Sequence, residues 1–499
     1  MCAEITRHVG IDLGASSGKI AVLTVQQGAL NLEVLHRFEN TPVQTSTGLY
    51  WNVLALWKEI ITGLGKLRGQ QIDSIGADTW AVDFALLDEH DLLLDGVHHY
   101  RDARTDGVME KVQDEHGSWN IYQRNGIQFL PFNSLYQLLS VKRDHPHLLS
   151  QAKTLLMVPD LLHFWLTGIK RTEITNASTT QFFDPVTGQW DHALLAALDL
   201  PSHFLPEVGK GGEEAFPLLP ELAQELHLPP AARVVPPGTH DTASAVVAVP
   251  ATGDNWAFIS SGTWSLVGTE LQSPILSEEA FEANFTSELG VSGTVRYLKN
   301  VMGLWILQEC RRSWGGVDYP VLYREAAEAH DTSTFDVDDR RFLAPGLDMP
   351  ERIQQYCREH GLQAPQSRGE VVRSILKSLA DQYSRVMQDL GRTTGKTFEV
   401  LHVVGGGAHI ELLCQWTADA TGLPVHAGPA DGTLLGNTLT QAMQVRGQTL
   451  SEIRTMLIDS IRPVVYHPET TLPRAEGRAV SATRAAPQAR GKTKRGPRA

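Results

Sequence analysis

A chain of 499 residues, 42% hydrophobic and 20% charged, can bury large cores and has room for about two to four domains. No stretch approaches the roughly 18 uninterrupted apolar residues of a membrane span, and the opening MCAEITRHVG lacks the basic-then-apolar order of a signal peptide. The formal net charge of −14 argues against nucleic acid as the main partner. The four cysteines, Cys2, Cys310, Cys357 and Cys414, form no CxxC pair and no zinc spacing, which suits inert thiols in a reducing cytoplasm.

The first expected element is a hairpin, with HVGIDL and IAVLTV as apolar strands joined by the turn GASSGK. Asp12 sits on the first strand, where a carboxylate is costly unless it is paired or meets a metal. Gly14, Ser16, Ser17 and Gly18 offer backbone N–H groups and hydroxyls that can cradle phosphate, and Lys19 adds a point charge. This is not a Walker A loop, because three rather than four residues separate the glycines and Ile20 follows Lys19. An ordinary hairpin turn, with Asp12 satisfied by backbone donors, is the competing reading.

A third strand, LEVLHRF, precedes the helical pattern WNVLALWKEIITGLGKL. In IDSIGADTWAVDFALLD two short strands flank a polar elbow. Its Asp78, Trp80 and Asp83 suit a polyol, since carboxylates accept from hydroxyls and an indole face packs on C–H surface. The alternatives are turn caps, or pairing with the arginines of YRDAR at 100–104. Residues 130–170 read as largely helical. In GTHDTASAV, residues 238–246, local pattern makes Asp241 a helix N-cap, while other surroundings would make it a base. A domain boundary is expected near residue 248.

The second half opens like the first: NWAFISSGTWSLVGTEL reads as strand, turn and strand, with Ser260, Ser261, Gly262 and Thr263 at the turn. KNVMGLWILQECRRSW, residues 299–314, reads as a helix, which would set Asn300 and Gln308 about 80° apart around the axis and about 12 Å along it. SRGEVVRSILKSLADQYSRVMQDLG is a strongly amphipathic helix with a capping box at Ser367 and Glu370 and Gly391 at its C′ position. VVGGGAH, residues 403–409, joins a strand to a helix through three glycines, close enough for a flat ligand to meet the backbone. AGPADGTLLGNTLTQA is again Gly-rich and leads into a helical run. The segment 461–499 reads as a disordered tail, with eight Lys/Arg against one Glu from Arg474 onward.

DTWAVDFALLD, YRDAR, GTHDTASAV, SSGTWSLVGTE, RYLKNVMGLWILQE and VVGGGAH occur in one order over roughly residues 8–460. In that order they resemble the actin-like ATPase fold and, within it, the FGGY carbohydrate kinases, a family that includes glycerol, xylulose and ribulose kinases. The resemblance implies an α/β protein of two ribonuclease H-like domains, each a mixed sheet flanked by helices, with the active site in the cleft between them. Residues 1–247 would form the N-terminal, sugar-binding domain and 248–460 the C-terminal, nucleotide-binding one.

The resemblance also implies roles. Ala15, Ser16, Ser17, Gly18 and Lys19 would contact the phosphates of ATP, and Asp12 would orient Mg²⁺ through its water shell. Trp80, Ala81, Asp83, His240, Asp241, Thr242 and Asn300 would lie against the sugar, with Asp241 as the base. Thr263, Gln308 and Gly406 would contact the nucleotide. The motifs stand nearest the members that phosphorylate L-rhamnulose at its C1 hydroxyl, with fuculose, ribulose and xylulose as alternative acceptors. An actin-like ATPase without a sugar acceptor and a non-catalytic sensor are further alternatives. Ala81 departs from the pattern, which usually has Gly there, and leaves the choice of ketose open. The expected partners are a small ketose and ATP, without nucleic acid or membrane.

Overall fold

The computed structural model describes residues 5–469. Two mixed sheets organise it. The first has six strands in the order Phe216–Pro217, Arg233–Val234, Ser74–Thr79, Thr6–Leu13, Ser17–Gln26 and Ala29–Glu39. The second has seven, in the order Thr286–Leu289, Val295–Met302, Trp264–Leu271, Trp256–Ser261, Val400–Val404, Val425–Ala427 and Val464–Tyr466.

Each sheet is built on the same device. Thr6–Leu13 pairs antiparallel with the strand after its turn and parallel with Ser74–Thr79. Trp256–Ser261 likewise pairs antiparallel with Trp264–Leu271 and parallel with Val400–Val404. The apolar runs that made these strands legible are the buried ones: Val9, Ile11 and Leu13 in the first sheet, Ala257, Phe258 and Ile259 in the second. Asp12 is the exception, set in register opposite Lys19 across the hairpin and beside Asp78 on the parallel strand.

The helix Arg368–Thr394 covers the second sheet with Val371, Val372, Ile375, Leu376, Leu379, Val386, Met387 and Leu390, all buried. Its capping box at Ser367 and Glu370 is present. Gly391 does not end it. The helix runs one turn further and closes at Gly395, which holds the left-handed φ of 68° that the C-terminal position requires. The region 130–170 also differs from its helical reading, because Thr154–Met157 is a strand paired with Phe84–Leu87. Four apolar residues buried together carry no period that separates strand from helix.

The expected boundary near 248 divides the sheets but not the packing. The helices Gly432–Arg446 and Leu450–Ser460 cross back onto the first half, where Leu435, Leu439, Ala442, Ile453 and Leu457 share a core with Leu23, Val25 and Val247. Residues 248–460 therefore pack on the first half through these two helices. Asn437 and Gln441 of the crossing helix are wholly buried and hydrogen-bond the first sheet, Asn437 Nδ2 to Asp78 Oδ2 at 2.5 Å and Gln441 Nε2 to the Val9 carbonyl at 2.9 Å. The expected tail needs a similar correction. Val464–Tyr466 pairs with Val425–Ala427 as the last strand of the second sheet, because three apolar residues find an open edge there. The rest of the tail, 470–499, lies outside the described residues, as does Cys2. Cys310, Cys357 and Cys414 are free and buried. Among the described residues no helix is long and apolar enough to cross a membrane.

The crossing helix passes so close to Asp241–Val247 that a Cβ on Gly436 would overlap the Ser244 carbonyl oxygen. Gly436→Val should destabilise the protein by about 1–3 kcal/mol or more, as overpacked cores do. A thermal midpoint equal to that of the unaltered chain would show that the helix gives way.

Candidate active site

The two hairpin turns face one cleft, and the strand ends of both sheets floor it. From the first hairpin Asp12, Gly14, Ala15, Ser16, Ser17 and Lys19 line it. The turn is shaped from outside by Asn40, whose N–H donates to the Ser16 carbonyl and whose side-chain Nδ2 donates to the Gly14 carbonyl. Lys19 Nζ reaches across the cleft to Asp431 Oδ1 at 2.8 Å. Gly18, expected among the phosphate contacts, is not in the cleft lining. It lies within the ladder opposite Leu13, and a side chain there would overlap the Phe38 ring.

From the second half come Ser260, Ser261, Gly262, Thr263, Gln308, Gly405, Gly406 and Asn300. Thr263 Oγ1 and Gln308 Oε1 stand 3.4 Å apart. Gly405, at φ 85°, turns the chain under Ser261, where a Cβ would press on the Ser261 carbonyl. Asn300 and Gln308 do not share a helix as expected. Asn300 belongs to the strand Val295–Met302 and Gln308 to the helix Trp305–Ser313. The chain breaks between them at Gly303, where the Leu304 N–H donates to the Gly262 carbonyl instead. Asn300 is held by Gln128, whose Oε1 accepts from both its backbone N–H at 2.8 Å and its Nδ2 at 3.0 Å.

The elbow supplies Trp80, Ala81 and Val82 to the cleft. Val82 has φ 66°, a left-handed conformation that strains a β-branched residue by about 1–3 kcal/mol. Ser134 Oγ holds it by donating to the Val82 carbonyl at 2.5 Å. Asp83 was expected against the sugar, yet it points into the protein. Its carboxylate accepts from Trp51 Nε1 at 2.6 Å, Gln137 Nε2 at 2.7 Å, Trp80 Nε1 at 3.0 Å and the Tyr100 N–H at 3.1 Å. Burial pushes this carboxyl up to about 6 against the pull of those donors. Asp83 thus holds Trp80 and does not line the cleft. Asp78 is also buried, and burial together with the like charge of Asp12 holds it well above the usual carboxylate range.

Asp241 is the first residue of its helix and not the cap; His240 occupies the cap position. Asp241 Oδ1 accepts from the Thr242 N–H at 2.6 Å. Its side chain is 31% exposed, and His240, Asp241 and Thr242 all line the cleft. The loop before it is pinned by Glu173, which accepts from Thr175, Gly211 and Thr239 through both backbone and hydroxyl donors.

The N-terminal domain model of the FGGY family of carbohydrate kinases matches residues 8–248, and its C-terminal domain model matches residues 257–445. The chain belongs to the FGGY family of carbohydrate kinases. Relatives include a rhamnulokinase of Halalkalibacterium halodurans, 41% identical over 91% of this chain and 97% of that protein, and one of Bacteroides thetaiotaomicron, 41% identical over 92% and 95%. In fold, this FGGY kinase is similar to a xylulose kinase of Lactobacillus acidophilus, with TM-score 0.74 at 17% identity over 93% of this chain and 94% of the other. It is also similar to a Plasmodium falciparum glycerol kinase, with TM-score 0.72 at 15% identity over 93% and 94%.

Several cleft residues of this sugar kinase carried no signal in the sequence. Tyr100, Phe132 and Trp264 follow one another across the cleft as tilted rings, with centroids 5.4 Å apart in each neighbouring pair. Tyr100 and Trp264 fall inside YRDAR and SSGTWSLVGTE, but neither motif shows that the rings meet across a cleft, and Phe132 stands in no motif. Asp431 could have been suspected from AGPADGTLLGN, and Glu288 could not.

Asp83→Ala should cost about 2–4 kcal/mol, because four buried donors lose their acceptor together. Thermal unfolding checks it, and an unchanged midpoint would mean that water replaces the carboxylate.

Proposed function

We propose that this sugar kinase transfers the γ-phosphoryl group of ATP to the C1 hydroxyl of L-rhamnulose, with Asp241 as the general base. The observation that carries the reading is the position of Asp241, in one cleft with both polar turns and the Trp80–Val82 wall. The rhamnulokinases named above support the choice of acceptor. So does the wall itself: Ala81, Val82, Leu130, Phe132 and Trp264 offer apolar surface. L-Rhamnulose is a 6-deoxy ketose, and its methyl group suits such a surface better than a hydroxymethyl group would.

Phosphoryl transfer asks the protein mainly to position the reactants and neutralise charge. Ala15, Ser16, Ser17 and Lys19 of the first turn, with Thr263, Gln308 and Gly406, would hold the nucleotide. Asp241 would take the proton as the C1 oxygen attacks phosphorus, and ADP would leave with its β-phosphate oxygen bearing the charge. Closure of the two lobes would keep water from competing as acceptor.

A magnesium ion fits the residues present. Burial and the like charges of Asp241 and Asp431 push Asp12 up to about 7, against the pull of Lys19 and Arg37, so the floor of the cleft is short of positive charge. Among the described residues no group of three or more His, Cys, Asp or Glu could hold a metal by itself. That matches an ion shared between one or two carboxylates and the phosphates of a substrate. Asp12 would hold it through water, and the ion would offset charge on the β- and γ-phosphates. Buried free thiols at Cys310, Cys357 and Cys414 support a reducing, cytoplasmic setting.

Asp241→Asn should lower kcat at least about 100-fold, and a loss below about tenfold would remove Asp241 as the base. In a coupled assay L-rhamnulose should give the highest kcat/KM among L-rhamnulose, L-fuculose, ribulose and xylulose. Ala81→Gly should shift the rhamnulose-to-fuculose ratio by about tenfold, the value of one methyl contact. A ratio that stays put would place Ala81 outside the specificity wall.

A further inference from the structure

Arg296 is the largest fully buried side chain among the described residues, and it lies directly behind His240. It stands on the strand Val295–Met302 of the second sheet, while His240 caps the Asp241 helix. A guanidinium has five N–H groups and no acceptor, so every partner must accept from it. Nε donates to the Leu289 carbonyl at 3.1 Å. Nη2 donates to the same carbonyl at 2.9 Å and to the Thr175 carbonyl at 3.1 Å. Nη1 meets two groups, Glu288 Oε2 at 3.0 Å and His240 Nδ1 at 2.9 Å. The Nη1 hydrogen that meets His240 has an acceptor only if His240 Nδ1 is a bare lone pair.

We infer that Arg296 is a positioning residue that fixes His240 as the neutral tautomer with its proton on Nε2. This inference rests on Asp241 as the base. His240 Nε2 lies 3.3 Å from Asp241 Oδ1. With the proton there, the positive N–H edge of the imidazole faces the carboxylate across 3.3 Å and favours its ionised form in place beside the sugar hydroxyl. The opposite tautomer would place a lone pair against that carboxylate and leave one buried guanidinium N–H facing an imidazole N–H. Glu288 is the competitor. Its Oε2 is 3.2 Å from His240 Nδ1 and could draw a proton onto that nitrogen. Arg296 opposes this through its charge, held 3.0 Å from Glu288 Oε2. The charged groups around the imidazole are Asp241, Glu288, Arg296 and, behind the loop, Glu173. Two of Arg296's partners belong to each half of the chain: Thr175 and His240 in the first, Glu288 and Leu289 in the second. The tautomer of His240 is therefore set by contact between the lobes.

The test is ¹⁵N NMR of the full-length, histidine-labelled protein at neutral pH, with the His240 signals identified by difference from His240→Gln. The expected spectrum shows a pyridine-type Nδ1 and a pyrrole-type Nε2. A protonated Nδ1 overturns the inference, whether it marks the other tautomer or the cation. In Arg296→Lys, which keeps the charge but not the five-donor fork, Nδ1 should become protonated. In that variant kcat should fall at least about tenfold, with KM for ATP within about threefold, the pattern of an interaction used only at the transition state. Turnover in Arg296→Lys equal to that of the unaltered chain would overturn the functional part. Should that variant not fold, the spectrum of the unaltered protein decides alone. Failure of the base reading looks different: Asp241→Asn would then keep its turnover while the His240 tautomer stayed as expected.

Discussion

One helix holds the active site together. Gly432–Arg446 begins beside Asp431, which grips Lys19 across the cleft, and it continues over the strands that carry Asp12 and the elbow. On its way it presses against the Asp241 helix so tightly that Gly436 has no room for a side chain. The first hairpin turn, the elbow and the Asp241 helix thus all register on the same rod. Its inner face is polar where a core helix is usually apolar: Asn437, Thr438, Thr440 and Gln441 are completely buried. Each polar group is satisfied by the first sheet or by the helix itself, so this surface fits in one register only.

The cleft collects more negative charge than its own cations balance. Asp12, Asp241 and Asp431 converge near Lys19, and Asp78 lies buried behind them. Such a site is costly to the folded protein and is suited to a ligand that brings positive charge with it. The end of the cleft formed by Trp80, Ala81 and Val82 is handled differently. There the carboxylates Asp83 and Glu173 are turned inward and saturated with donors, so they shape the wall and the Asp241 loop without facing the ligand. Carboxylates around one cleft thereby divide into those that open onto it and those that build its walls.

Much of this could be read from residue order. Both hairpins, the long amphipathic helix with its capping box and the triple-glycine turn stand where their local patterns put them. Their signals are local: alternation of apolar residues, a cap three residues before its partner, glycine where the backbone must turn. The misreadings share a cause too. In KNVMGLWILQE an apolar run suits a strand and a helix equally, and only the neighbouring Trp264–Leu271 strand draws Asn300 into a ladder. Thr154–Met157 becomes a strand for the same reason, because Phe84–Leu87 is there to pair with it.

What the sequence determined by itself was the chemistry available: a carboxylate at a helix start, two polar turns, a glycine-rich corner and the family to which their order belongs. What only the tertiary structure decided was direction. Asp83 and Asp241 are equally plausible sugar ligands as letters, yet one is consumed by Trp51, Trp80, Gln137 and Tyr100 while the other opens onto the cleft. Glu288, Arg296 and Asp431 lie far along the chain from the residues they serve and meet them only when the two sheets come together. A side chain's type is local, but whether its polar atoms are spent on the protein or left for a ligand depends on neighbours that the chain supplies from tens to hundreds of residues away.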